Sequence, residues 1–159
     1  MDIVTAARTV SQHGVVIFPT DTLYGIGGNA CNAEICKRVL EAKESEPGRP
    51  LPVLVSSLED IAGVVEPGQL PLVNTIAAQY WPGALTLILR LSSRGMELLS
   101  HLSKEGTVGF RIPDHDWPRQ LARACGGYLI GTSANLQGQA PPVVGSEISP
   151  ELAARVDGV

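Results

Sequence analysis

Residues 3–19 read IVTAARTVSQHGVVIFP, and this stretch contains the two patterns that decide the fold class. Apolar residues recur at helical spacing from Ile3 to Val10, and Gly14 follows as a predicted stop signal. The continuous apolar run from Val15 to Phe18 is typical of a strand buried on both faces. A helix leading into a buried strand is the repeating unit of an α/β fold.

The same alternation continues along the chain. Apolar periodicity predicts helices over 34–43, 71–80 and 118–124, and apolar runs predict strands over 53–55, 85–89, 107–112 and 128–130. Strands that alternate with helices favour a single α/β domain in which helices cover a sheet.

Composition limits the class of protein. The chain has 159 residues, of which 44% are hydrophobic and 18% charged, enough apolar material for one core and too much for a disordered chain. The net charge of −4 argues against non-specific nucleic-acid binding. Three cysteines without metal-ligand spacing indicate reduced thiols. With no signal peptide and no bilayer-length apolar run, the sequence predicts a soluble, cytoplasmic protein without membrane contact.

The first candidate functional segment, 19–30, follows the first predicted strand directly. It places hydroxyls, the Asp21 carboxylate and the Tyr24 phenol beside three glycines, which permit close backbone approach to a ligand. It then leads into a helix whose free N–H groups favour an anion. The alternative is an ordinary turn in which Asp21 caps the helix.

Three later segments also carry candidate chemistry. In 43–51, cations around a Pro-Gly turn suit phosphate or carboxylate groups, although the pattern also fits a charged surface loop. Arg111, inside an apolar strand, needs a partner anion from the protein or from a ligand. His115 is a weak catalytic candidate that also fits a capping role. Polar groups after the last strand suit a phosphate or nucleoside, or satisfy their own turn: Thr132, Ser133 and Asn135.

Taken in order, four motifs resemble the YrdC-like family, the threonylcarbamoyl-AMP synthases of tRNA modification. Residues 19–30 resemble its P-T-D/E-T-x-Y-G-I/L-G motif, and 80–86 its W-P-G-x-L/V-T motif. Residues 108–113 resemble its V-A/G-V/F-R-V/I/M-P segment, and 132–135 its T-S-A-N loop. The resemblance extends from about Thr5 to Gln139.

This resemblance implies a twisted, mixed, open α/β sheet with flanking helices around a concave site, as a single domain over 1–159. It implies formation of threonylcarbamoyl-AMP and pyrophosphate from L-threonine, bicarbonate and ATP, with Mg²⁺ accompanying the ATP and no metal site in the protein. The product serves tRNA t6A synthesis, with tRNA bound weakly at most or through partner proteins.

The resemblance also assigns roles to individual residues. Threonine is expected near Thr20 and Tyr24. Lys43 and Arg49 are the expected catalytic residues, which neutralise phosphate charge rather than act as nucleophiles. The expected nucleotide-binding set adds three residues to these two: Thr107, Ser133 and Asn135.

Two departures from the family pattern support an alternative function. The family segment K-x-R-P-x-x-K/R/H-P-L has Ser45 at its arginine and Glu46 at its proline. Family members also continue past 156–158 into a P-S-T-V/I segment, which predicts either a truncated chain or a shortened paralogue. The alternative is therefore a catalytically weakened paralogue that binds nucleotide or RNA without turnover. Candidates to replace the missing arginine are Arg90, Arg94 and Arg111.

YrdC-like domains also occur in hydrogenase-maturation carbamoyltransferases. Those domains lie in longer chains that carry zinc-finger-like cysteine clusters, which this sequence lacks.

Overall fold

The computed structural model describes all 159 residues and contains seven α-helices and seven β-strands. The helices are α1 (Ile3–Ser11), α2 (Ala33–Ala42), α3 (Leu58–Ala62), α4 (Leu70–Tyr80), α5 (Ser93–Leu99), α6 (Asp116–Ala124) and α7 (Pro150–Ala153). The strands are β1 (Val16–Phe18), β2 (Gly25–Gly27), β3 (Val53–Leu54), β4 (Leu87–Arg90), β5 (Thr107–Arg111), β6 (Leu129–Ile130) and β7 (Thr132–Ser133). No helix is long and apolar enough to cross a bilayer.

The strands form two sheets that meet at a seam. One has the order β1-β2-β7 with antiparallel pairing, and the other the order β4-β5-β3-β6. In the second sheet β3 runs parallel to β5 and antiparallel to β6. At the seam, the Ile130 amide donates to the Gly28 carbonyl at 2.9 Å, and Asn29 bridges Leu129. The predicted α/β class with mixed pairing is confirmed, with the strands divided between two sheets.

The backbone at Gly27 explains why the seam closes. A Cβ atom built on Gly27 would overlap the carbonyl oxygen of Ile130 on β6. Only a residue without a side chain therefore permits β2 to lie this close to β6. At Gly27 the missing side chain admits a neighbouring strand, and close approach of a ligand to the glycines of 19–30 stays a prediction.

The end of α2 sets the backbone of the candidate site. Glu44 has a φ of 55°, and its amide donates to the Glu41 carbonyl at 3.1 Å. The Ser45 amide donates to the Leu40 carbonyl at 2.9 Å. This is the Schellman arrangement, which ends a helix sharply and here has glutamate at the position where glycine is usual.

The core is aliphatic, as the composition predicts, with one phenylalanine fully buried on each sheet: Phe18 and Phe110. The predicted helices and strands are present with shifted ends. The elements that the sequence does not predict are β2 and β7, which lie in segments expected to be loops, and the short helices α3, α5 and α7. The three cysteines are unpaired.

Candidate functional site

A polar cavity of about 220 Å³ lies between the end of α2, the turn that follows it and the loop after β7. We refer to it as the Lys43 cavity. Its lining contains two cationic side chains and no carboxylate. The polar or charged residues that line it are Lys43, Ser45, Arg49, Thr132, Ser133, Asn135 and Gln137.

Lys43 is the only buried charged residue of the chain, at 6% exposure. Its Nζ donates to the Asn135 carbonyl at 2.8 Å and to the Ser133 carbonyl. Burial, and secondly the charge of Arg49, lower the pKa of Lys43 to about 8. An ammonium group has three N–H donors, so one donor of Lys43 has no protein partner.

Arg49 lies on the exposed rim of the same cavity. Its guanidinium takes part in none of the hydrogen bonds or ion pairs within the protein. An unpaired guanidinium beside a buried ammonium, with no carboxylate in the lining, suits this cavity to an anion.

Hydrogen bonds from the Asn135 side chain to backbone carbonyls hold the loop after β7, in addition to those from Lys43. Asn135 Nδ2 donates to the Leu136 and Gln139 carbonyls, both at 2.9 Å. Asn135 Oδ1 is buried without a donor. The amide therefore satisfies its own turn, as the alternative interpretation has it, and also lines the cavity.

Thr20 and Tyr24 do not line the Lys43 cavity. Thr20 Oγ1 donates to the Leu23 carbonyl at 2.6 Å, within a local turn. The Tyr24 carbonyl accepts from the Ala134 amide at 2.9 Å, which places this segment directly beside the T-S-A-N loop. Threonine binding by Thr20 and Tyr24 remains a prediction.

The partner of Arg111 is an anion of the protein itself. Arg111 Nη2 donates to Asp21 Oδ1 at 2.6 Å, and the two side chains are only 14% and 16% exposed. Nη1 donates to Thr22 Oγ1 at 3.2 Å, and Nε to the Gly83 carbonyl at 2.9 Å. Asp21 is therefore an ion-pair partner and not a helix cap. Arg111 joins three of the four sequence motifs.

Thr107 lies apart from the other predicted nucleotide-binding residues. Its Oγ1 donates to the Lys104 carbonyl at 2.8 Å, and it lines a separate apolar depression of about 300 Å³. The segment 50–52 lines both this depression and the Lys43 cavity, so it separates the two. Thr107 does not line the Lys43 cavity, and its nucleotide-binding role remains a prediction.

None of the candidate replacements for the missing arginine lines the Lys43 cavity. Arg90 lies 4.0 Å from Glu66, and Arg94 lies 3.3 Å from Glu97. Arg111 is paired with Asp21, as described. His115 caps α6 by accepting from the Trp117 amide at 3.1 Å, which agrees with the capping alternative.

A family model covering Sua5, YciO and YrdC, with the description "Telomere recombination", matches residues 8–159. The chain belongs to the Sua5/YciO/YrdC family. A threonylcarbamoyl-AMP synthase of Bacillus subtilis is 33% identical over 99% of the chain. One from Stenotrophomonas maltophilia is 30% identical over 98% of the chain and is covered over 83% of its own length.

Among solved structures, Pyrococcus abyssi Sua5 in complex with L-threonine superposes with a TM-score of 0.85 at 27% identity. The alignment covers 98% of this chain and 45% of that protein. The chain spans a similar 45% of the Bacillus subtilis relative, and therefore about half the length of several family members that it matches.

Gln137 is a polar residue of the cavity that the sequence motifs of this Sua5/YciO/YrdC chain do not indicate. Gln137 lines the cavity, and its backbone N–H donates to the Lys43 carbonyl at 2.9 Å. Lys43 thus binds the loop after β7 through both its side chain and its backbone. The position of Gln137, two residues after the T-S-A-N motif, is the one feature of the sequence that indicates it as a neighbour of the site.

Proposed function

We propose that this chain forms threonylcarbamoyl-AMP and pyrophosphate from L-threonine, bicarbonate and ATP, for t6A synthesis in the cytoplasm. The observation that carries the proposal is the Lys43 cavity, in which a buried ammonium and a free guanidinium lie beside a Ser/Asn loop without any carboxylate. Relatives named threonylcarbamoyl-AMP synthase support it.

The proposed reaction requires positioning more than covalent chemistry. The amine of threonine condenses with bicarbonate to give a carbamate and one water, and a carbamate oxygen then attacks the α-phosphorus of ATP. The bond from the α-phosphorus to the bridging oxygen breaks, and pyrophosphate leaves. Lys43 and Arg49 neutralise the charge on the phosphates, and the Ser133 hydroxyl orients them. Asn135 donates both of its side-chain N–H groups to the loop and so holds that loop beside the phosphates.

Mg²⁺ is proposed to enter as part of the ATP complex. No three acidic, histidine or cysteine side chains gather anywhere in the chain, and the cavity offers only hydroxyl, amide and carbonyl oxygens. Because the cavity has no carboxylate, Mg²⁺ is proposed to keep phosphate and water oxygens as its ligands. Threonine binding is supported by the threonine complex of the Sua5 relative, and we propose Thr20 and Tyr24 as the residues beside it.

The test is pyrophosphate release by the purified chain with threonine, bicarbonate, ATP and Mg²⁺. We expect release that requires all four components. A full-length family member measured at the same concentrations is the positive control, and no release by this chain beside an active control would refute the synthase.

Ser45 favours a second candidate function, a paralogue that binds nucleotide without turnover. Ser45, which the resemblance aligns with an arginine of the family, lines the cavity. None of the candidate replacements for that arginine lines it: Arg90, Arg94 and Arg111. Saturable ATP binding without pyrophosphate release would support this candidate. RNA binding is expected to be weak and salt-sensitive, given the acidic chain.

Replacing Ser45 with arginine tests whether the cavity lacks a phosphate donor. We expect Ser45→Arg to tighten ATP binding about tenfold, because a guanidinium can donate two hydrogen bonds to one phosphate. Titration calorimetry with MgATP measures the change. Glu46→Gln is the matched control, since it alters net charge equally at a neighbouring exposed residue that does not line the cavity. Equal gains in both variants would contradict a specific contact.

The lowered pKa of Lys43 predicts a pH dependence of ATP binding. Phosphate binding favours the protonated lysine and raises its pKa in the complex, so affinity is constant below about pH 8. Above that pH the free protein loses the Lys43 proton, and we expect affinity to fall by up to tenfold per pH unit until the pKa of the complex is reached. Calorimetry from pH 7 to 10 measures the fall, and Lys43→Arg should abolish it. A flat profile for the unaltered chain would contradict this role.

A further inference from the structure

The Glu44 carboxylate is adjacent in sequence to two residues of the Lys43 cavity, which is proposed to bind an anion. It lies in the chain between Lys43 and Ser45, which both line the cavity, yet Glu44 itself does not line it. A carboxylate free to enter the cavity would repel phosphate and compete for Lys43 and Arg49. Something in the fold must therefore hold Glu44 outside.

The backbone supplies the first part of the explanation. Glu44 has a φ of 55°, which is the left-handed conformation. The chain therefore leaves the direction of α2 at this residue. Backbone conformation alone does not fix a long side chain, because glutamate has three rotatable bonds and the residue is exposed.

Arg155 supplies the second part. Its Nη2 donates to Glu44 Oε1 at 2.8 Å and to Glu151 Oε1 at 2.6 Å. Its Nη1 donates to the Ala42 carbonyl at 3.1 Å, one of the terminal carbonyls of α2. The guanidinium is thus anchored to α7 and to α2 at once. The hydrogen bond that Arg155 donates to Glu44 is the largest of the influences that raise the pKa of Arg155.

We propose that Arg155 is a positioning residue for nucleotide binding, which holds the Glu44 carboxylate outside the Lys43 cavity. The inference rests on the proposed function, in that the anion is taken to be ATP. No sequence motif indicates this role, because Arg155 and Glu44 are 111 positions apart. Arg155 is the only side chain that forms an ion pair or hydrogen bond with the Glu44 carboxylate, so nothing else in the protein restrains it.

Removing the guanidinium is expected to weaken ATP binding through Glu44. A carboxylate charge that Arg155 no longer neutralises repels the phosphate charges, which in a solvated site corresponds to about a fivefold loss of affinity. We therefore expect MgATP to bind Arg155→Ala about fivefold more weakly than the unaltered chain. Glu44→Gln alone should bind MgATP as tightly as the unaltered chain.

The double variant Arg155→Ala with Glu44→Gln decides between positioning and simple structural support. If Arg155 acts by restraining the carboxylate, neutralising Glu44 restores the lost affinity. If Arg155 merely supports the fold, the double variant stays as weak as Arg155→Ala, and the proposal is overturned. An Arg155→Ala variant that binds MgATP normally overturns it as well.

Arg38→Ala is the matched control. Arg38 binds Asp157 at 2.8 Å and so holds the same C-terminal segment without contacting Glu44. Its removal should leave MgATP affinity unchanged. A fivefold loss in Arg38→Ala would assign the effect to that segment as a whole and overturn the role of Glu44.

A measurement without nucleotide separates this proposal from the proposed function. The pKa of Lys43, followed by NMR of its side-chain carbons, should rise from about 8 in Arg155→Ala and return in the double variant. If the unaltered chain does not bind ATP, the proposed function fails, and this titration still decides whether Arg155 restrains Glu44. An unchanged Lys43 pKa in Arg155→Ala overturns the positioning role.

Discussion

Lys43→Ala is expected to lower kcat/KM for pyrophosphate release about a thousandfold, or roughly 4 kcal/mol of transition-state stabilisation. The substitution removes a buried ammonium from the cavity together with its hydrogen bonds to the carbonyls of Ser133 and Asn135. Both the charge that opposes the phosphates and the tether of the loop after β7 are lost. Initial rates over a range of ATP concentrations measure the effect.

The matched control for this substitution is Lys37→Ala. Lys37 lies on the same helix and is 66% exposed, and its ammonium is 3.9 Å from Glu41. We expect its removal to change kcat/KM less than twofold, since exposed ion pairs contribute little. A Lys43→Ala variant that keeps more than a tenth of the activity would show that the buried ammonium does not carry the reaction.

Gly27→Ala is expected to lower the free energy of unfolding by about 3–4 kcal/mol, because the added methyl group overlaps a backbone carbonyl and not a movable side chain. Relief of this overlap requires β2 and β6 to separate. The seam hydrogen bond from Ile130 to Gly28 and the pairing of Asn29 with Leu129 would then weaken. Urea unfolding followed by circular dichroism measures the loss.

Gly68→Ala provides the comparison for Gly27→Ala. A Cβ atom on Gly68 would meet nothing within 4 Å, so the same substitution there adds a methyl group to open space. We expect a change within about 1 kcal/mol. If Gly27→Ala were as mild as Gly68→Ala, the close approach of the two sheets would not be a determinant of stability.

The elements that the sequence predicts well are those whose pattern is local. The helix predicted over 71–80 corresponds to α4, and the strand predicted over 107–112 to β5. Strands β2 and β7 consist of glycine, isoleucine, threonine and serine in runs of three and two residues. Such short runs carry no periodicity, and they form strands because β1 and each other supply the hydrogen bonds.

The candidate site was predictable only in part, for the same reason. The resemblance groups Lys43, Arg49, Ser133 and Asn135, and the structure brings these four residues to one cavity. No local pattern indicates that Arg111 pairs with Asp21 or that Arg155 pairs with Glu44, because each pair joins distant parts of the chain. Thr107 shows the converse, since the resemblance includes it in the nucleotide-binding set but it lines a different depression.

The contacts of Lys43 also bear on the order in which the protein is assembled. The residues that its ammonium binds lie 90 and 92 positions later in the chain. During synthesis the ammonium therefore has neither acceptor until most of the chain has left the ribosome, and pairings of such long range are slow to form. A ligand of the Lys43 cavity binds only molecules in which this late step is complete. Its presence at high concentration would trap newly made chains in the finished fold by mass action.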